Sequence, residues 1–128
     1  MIKALFAAID ARDLTSFGQF LAPDCAFRFG NQAPVIGLQP VLAHVEAFFA
    51  SIRAVRHELT TTWACEDALI CHGMVTYTRH DGSQLCVPFC NVLKLARGLV
   101  REYLIFVDTS LLYRAGEGTG TGAPGVLA

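Results

Sequence analysis

The sequence predicts an α+β domain in which three helices of the N-terminal half pack against a mostly antiparallel sheet of six strands. Three observations lead there. Apolar residues recur at helical spacing in three runs of the first fifty-odd residues, and from residue 55 to 113 they follow a β pattern instead. Turn or capping residues stand at nearly every boundary between runs. At 128 residues the chain is long enough to bury the core of one domain and too short to suggest two.

Taken in order, Ile2, Leu5, Phe6 and Ile9 share one face of a first helix over residues 1–13. Asp13 is placed to cap a second, short helix carrying Leu14, Phe17 and Leu21, which Ala22-Pro23-Asp24 should end. "CAFRF" at 25–29 alternates as a strand, Gly30-Asn31 form a turn, and "APVIG" at 33–37 reads as a second short strand. Pro40 suits the first turn of a third helix, whose stripe is Val41, Val45, Phe48, Phe49 and Ile52. Four antiparallel strands follow, with turns expected at Glu66-Asp67, Asp81-Gly82 and Arg97-Gly98. The domain is thus expected over residues 1–113. Residues 114–128, "RAGEGTGTGAPGVLA", read as a flexible Gly-rich tail; their "GTGTGA" imitates a dinucleotide fingerprint but lacks the strand-to-helix context.

Composition excludes several functions. Hydrophobic residues make up 53% of the chain and the formal net charge is −1, so there is no field to attract nucleic acid or an anionic membrane. The first residues are interrupted by charge before a signal or spanning segment is complete, and a cytoplasmic location is expected. Five cysteines without a CxxC pair read as reduced, structural thiols. No HxH or HxxxH pair offers a metal site, and no GxSxG or phosphate-loop motif occurs, so neither metal nor cofactor is expected.

Two-residue turns at the three hairpins would align the last four strands in cross-strand rows on one face. The rows are His57, Thr76, Val87 and Asp108; Leu59, Met74, Phe89 and Phe106; Thr61, His72, Asn91 and Leu104; and Trp63, Ile70, Leu93 and Glu102. Such a face, oily with a few polar fixtures, suits a ligand pocket. Asp108 alternates with Phe106 and Leu104 and so would point where they point. Desolvation there would raise its pKa towards that of an acid or base working at neutral pH. It could equally bind a ligand without chemistry, or cap the turn at "DTSL". The opposite face, with Cys71, Val75, Tyr77, Arg79, Cys90, Val92, Ile105 and Val107, is also largely apolar and is expected to pack on a second copy of the chain.

The element order, together with "AAIDARDLTSFGQFLAPDCAFRF", "PVIGLQPVLAHVEAFF", "GMVTYTRHDGS" and "RGLVREYLIFVDTSLL", resembles the SnoaL-like branch of the nuclear transport factor two-like superfamily over roughly residues 3–113. The resemblance implies a cystatin-like cone: a curved, mixed, six-stranded sheet wrapped with helices around an internal pocket, commonly in a homodimer. Its members cyclise polyketides, hydrolyse epoxides, isomerise steroids or dehydrate, while others only bind or scaffold. Of these, SnoaL-type cyclisation fits best, with Asp108 matching the last-strand acid. Epoxide hydrolysis would want Arg and Asp where His72 and Met74 stand, and steroid isomerisation a Tyr on the first helix, where Phe6 occurs.

The expected reading is a protein that binds a small hydrophobic molecule, either as a cofactor-independent isomerase, cyclase or lyase or as a non-catalytic dimeric module. Asp108 would move the proton and His57 assist. Asn91 and His72 would hold an oxygen, with Thr76, Met74, Phe89, Phe106, Leu104, Trp63 and Phe29 lining the pocket.

Overall fold

A computed structural model describes residues 1–113, so the tail expected over 114–128 lies outside the described residues. Three helices, α1 (Ile2–Asp10), α2 (Leu14–Gly18) and α3 (Leu38–Ser51), accompany six strands. These are β1 (Leu21–Phe29), β2 (Val35–Ile36), β3 (Ala54–Ala64), β4 (Ala68–Thr78), β5 (Gln84–Ala96) and β6 (Leu99–Val107). They form one curved, mixed sheet in the order β2-β1-β6-β5-β4-β3, parallel only between β1 and β6. The α+β cone is therefore present, with β3 as a free edge. No helix of the described residues is long and apolar enough to cross a membrane.

The helices begin and end where local chemistry directs. Asp13 caps α2 by accepting the Ser16 N–H, at 3.1 Å. At the end of α1, Arg12 takes a left-handed φ of 58°; its N–H reaches Ile9 O and that of Asp13 reaches Ala8 O, a Schellman closure. The Arg12 guanidinium then donates to the carbonyls of Ile52 and Arg53, tying this corner to the start of β3. One expectation fails here: α2 stops at Gly18, and Leu21, Ala22, Pro23 and Asp24 belong to β1. Pro23 is tolerated there because the pairing of β1 with β6 is itself irregular between Leu21 and Ala26.

Hairpin geometry decides which residues face inward. The turns at Glu66-Asp67 and Arg97-Gly98 contain two residues, as expected, the latter with both φ values positive. The Asp81-Gly82 turn does not. Arg79 bonds Ser83 around a three-residue loop, with Gly82 at φ 91°, so Thr76 pairs with Cys86 rather than Val87. Two irregularities add to this shift, one between Leu59 and Thr61 in β3 and one in β6 beside the Lys94–Leu95 step of β5. A one-residue slip exchanges the two faces of a strand. The inner face consequently carries Val55, His57, Val75, Tyr77, Phe89, Asn91, Tyr103 and Ile105.

The core between this face and the helices is rich in aromatic rings. Phe17, Phe27, Phe29, Phe48, Phe49, Tyr77 and Tyr103 are all buried, in tilted or edge-on contacts such as Phe27–Tyr103 at 5.1 Å and Phe48–Tyr77 at 5.9 Å. The chain then turns after β6 so that Leu112 is buried, Arg79 donates to the carbonyls of Leu111 and Leu112, and Tyr113 bonds Ser51 at 2.6 Å.

Candidate functional site

Within the core lies a hollow of about 50 Å³, or about 550 Å³ with its open mouth included. The closed part alone would admit a few waters. Its walls come from α1 (Ile9), α2 (Phe17), α3 (Val45, Phe48, Phe49) and the inner face of the sheet. Two polar side chains stand out in this apolar lining, His57 on β3 and Asn91 on β5.

His57 is held from one side. Its Nδ1 lies 2.6 Å from Asp10 Oδ1, and its backbone N–H donates to Asp10 Oδ2 at 2.9 Å. Two features of the fold produce this clamp. β3 is an edge strand, so the outward N–H of His57 needs an acceptor from elsewhere. Asp10 is the last residue of α1, which packs along β3, and Phe6 one turn earlier stacks on the imidazole at 4.7 Å. Phe89 meets the ring edge-on at 5.2 Å. Position and direction are thus fixed by a carboxylate and two aromatic rings. Nε2 has no hydrogen-bond partner among the described residues, so the second ring nitrogen is free for a ligand.

A carboxylate on Nδ1 selects the tautomer with its proton there and leaves the Nε2 lone pair as a base. The side chains are mostly covered, 12% exposed for His57 and 26% for Asp10. In such surroundings the pair is not an ordinary surface salt bridge.

Asn91 is 2% exposed, and its Oδ1 is buried without a hydrogen-bond partner among the described residues. Tyr103 and Tyr77 also line the hollow. Burial pushes both phenols far above their ordinary range, so they remain protonated. Burial likewise pushes the thiols of Cys25 and Cys71 up to about 11, which suits inert core residues. Among the described residues there is no group of three or more His, Cys, Asp or Glu placed to hold a metal.

Of the residues singled out in the sequence, His57, Asn91, Phe89 and Phe29 meet at the hollow. Asp108 does not. It is exposed, lies beyond the end of β6, and accepts the Ser110 N–H at 2.9 Å; bonds from Ser110 hold its carboxyl below the ordinary 3.8. It is the turn cap, one of the alternatives its position allowed. His72 pairs with Cys90, and Asn91 with the neighbouring Cys71, so the two occupy opposite faces and cannot share an oxygen. Met74 and Phe106 face outward, 36% and 55% exposed; Leu104, opposite Val92, lies on that same outer side. Thr76 is buried but sits between Arg56 and Cys86, away from the hollow. Trp63 is half exposed because the β3 irregularity turns it to the outer side with Ile70. On the opposite set the three-residue loop between Arg79 and Ser83 and the β6 irregularity bring Cys71, Val75, Tyr77 and Ile105 inward, while Cys90 and Val92 lie outside.

The residue that the sequence reading missed is Asp10. Its signal was electrostatic: an acid in the last turn opposes the helix dipole and lacks a local reason to be there.

Comparisons with known proteins agree with this architecture. The family described as "SnoaL-like domain" matches residues 2–103. Among solved structures, an NTF2-like protein of unknown function from Burkholderia pseudomallei K96243 superposes with a TM-score of 0.81 at 18% identity, over 88% of this chain and 92% of that one. A protein from Jannaschia sp. CCS1, provisionally named a SnoaL-like polyketide cyclase, gives 0.77 at 18% identity, over 87% and 85%. An LEH-like epoxide hydrolase of M. tuberculosis gives 0.74 at 11% identity, over 84% and 80%. At these identities the likeness is one of fold. No curated protein matches the chain.

Proposed function

The chain belongs to the SnoaL-like domain family, and from that premise we propose that it binds a small, largely apolar molecule in its conical hollow and moves a proton on it. His57 is the acid/base and Asp10 its positioning partner. The observation that carries this reading is the 2.6 Å contact between Asp10 and His57 Nδ1 at the edge of an apolar hollow.

Substrate enters with an acidic C–H or O–H towards Nε2. The proton passes to Nε2 and the electron pair stays on substrate, while Asp10 steadies the imidazolium. Nε2 then returns the proton to another carbon, which yields an isomer; where the carbanion instead adds to a carbonyl of the same molecule, the new C–C bond closes a ring, the C=O π pair becomes an alkoxide, and Nε2 protonates that oxygen. The ring is regenerated without cofactor or net redox change. Phe6 and Phe89 keep the imidazole from turning, and the aromatic lining excludes water that would compete for the proton.

A second reading rests on a separate observation. Trp63, Met74 and Phe106 leave an apolar outer sheet face partly exposed, which favours a dimeric binding or scaffold module formed with a second copy of the chain. An NMR-monitored screen of small apolar ketones, lactones and hydroxyl compounds separates the two. Under the first reading, shifts cluster at His57, Phe89 and Asn91, leave Asp108 unmoved, and survive in His57→Gln. Shifts confined to the outer face, or none at the hollow, would contradict it.

A further inference from the structure

Asn91 makes a demand on whatever enters the hollow. Its Oδ1 is buried and unpartnered, and a buried acceptor without a donor is rare in folded proteins. An apolar residue of similar size would pack there at no such cost. On the reading of the hollow as a ligand site, we infer that the ligand carries a hydroxyl group that donates to Asn91 Oδ1. The sequence led to the expectation that Asn91 holds a ligand oxygen, but a carbonyl oxygen at Oδ1 would set acceptor against acceptor.

Other donors fit less well. An ammonium would bring a charge among Phe27, Phe29, Phe89 and Ile105, with no carboxylate lining the hollow to pair with it. An amide N–H would bring its own carbonyl into the same apolar walls. A hydroxyl is the smallest donor, and its oxygen can also accept. Tyr103 stands diagonally across from Asn91 on the neighbouring strand, its phenol kept protonated by burial, and can supply that second bond. The ligand class is therefore a small, neutral alcohol or phenol, with its hydroxyl on Asn91 and its apolar part among the phenylalanines.

The test compares three probes of similar shape, phenol, anisole and toluene, by calorimetry or NMR titration against the full chain. Phenol should bind at least about tenfold more tightly than either of the others, the worth of one buried hydrogen bond. Asn91→Leu should erase that preference without weakening toluene, and Asn91→Asp should keep it. Asn91→Val serves if leucine is not accommodated. Equal binding of the three probes to the wild type overturns the hydroxyl assignment and leaves the pocket reading intact. A preference that persists in Asn91→Leu or Asn91→Val overturns it too. Binding of none of them overturns both readings.

Discussion

His44 shows how a single side chain ties this fold to pH. It sits on α3 with its ring edge-on to Phe27 at 6.0 Å, and burial holds its pKa below the ordinary 6.5. The folded protein therefore favours the neutral ring, whereas the unfolded chain protonates it near 6.5. The contribution of this site is complete above that pH and is lost as the pH falls from 6.5 through the folded value. Denaturant melts between pH 7.5 and 5 should show stability declining, and His44→Gln should flatten that part of the curve. The hydrogen-bonded carboxylates Asp13, Asp81 and Asp108 act in the same direction further down, below about 3.8. An unchanged slope in the variant would remove His44 from this role.

At the scale of elements, the irregularity in β3 governs the site, and Gly73 permits it. Gly73 pairs with Leu59 beside the shift, and a Cβ built there would lie 2.0 Å from the Glu58 carbonyl oxygen. No flexible side chain can yield at that contact, because the obstacle is backbone. Gly73→Ala should destabilise the protein by about 1–3 kcal/mol in chemical denaturation, the usual cost of overpacking, and should weaken ligand binding by displacing His57, which adjoins Glu58 on β3. Wild-type stability in this variant would mean that β3 can move freely. The same detail explains what the sequence did and did not disclose. Helices, strands and two of three turns were legible because apolar period and turn chemistry are local. A bulge or a third loop residue is decided by how strands fit together, yet it reverses a face; hence His57 and Asn91 line the hollow while Met74, Phe106 and Asp108 lie outside it. Asp10 was illegible for a related reason, since its partner lies 47 residues away and meets it only when α1 docks on β3.

For the whole molecule, two surfaces follow from one curved sheet: a concave side that encloses the hollow and a convex side bearing Trp63, Met74 and Phe106. Soluble monomers seldom leave such a patch uncovered. A second copy presents the same patch and can cover it about a two-fold axis. Sedimentation at micromolar concentration should therefore give a dimer, and Phe106→Lys, placed at the most exposed of these positions, should shift it to monomer; a monomer in the wild type would contradict this. The concave side carries the central claim, that His57, steadied by Asp10, exchanges a proton with a bound molecule. The most direct measurement is solvent-deuterium exchange into a ligand that titrates the hollow. The wild type should label an acidic position, and His57→Gln should slow that labelling about 100-fold or more while binding persists. Labelling at the same rate in His57→Gln would contradict the claim.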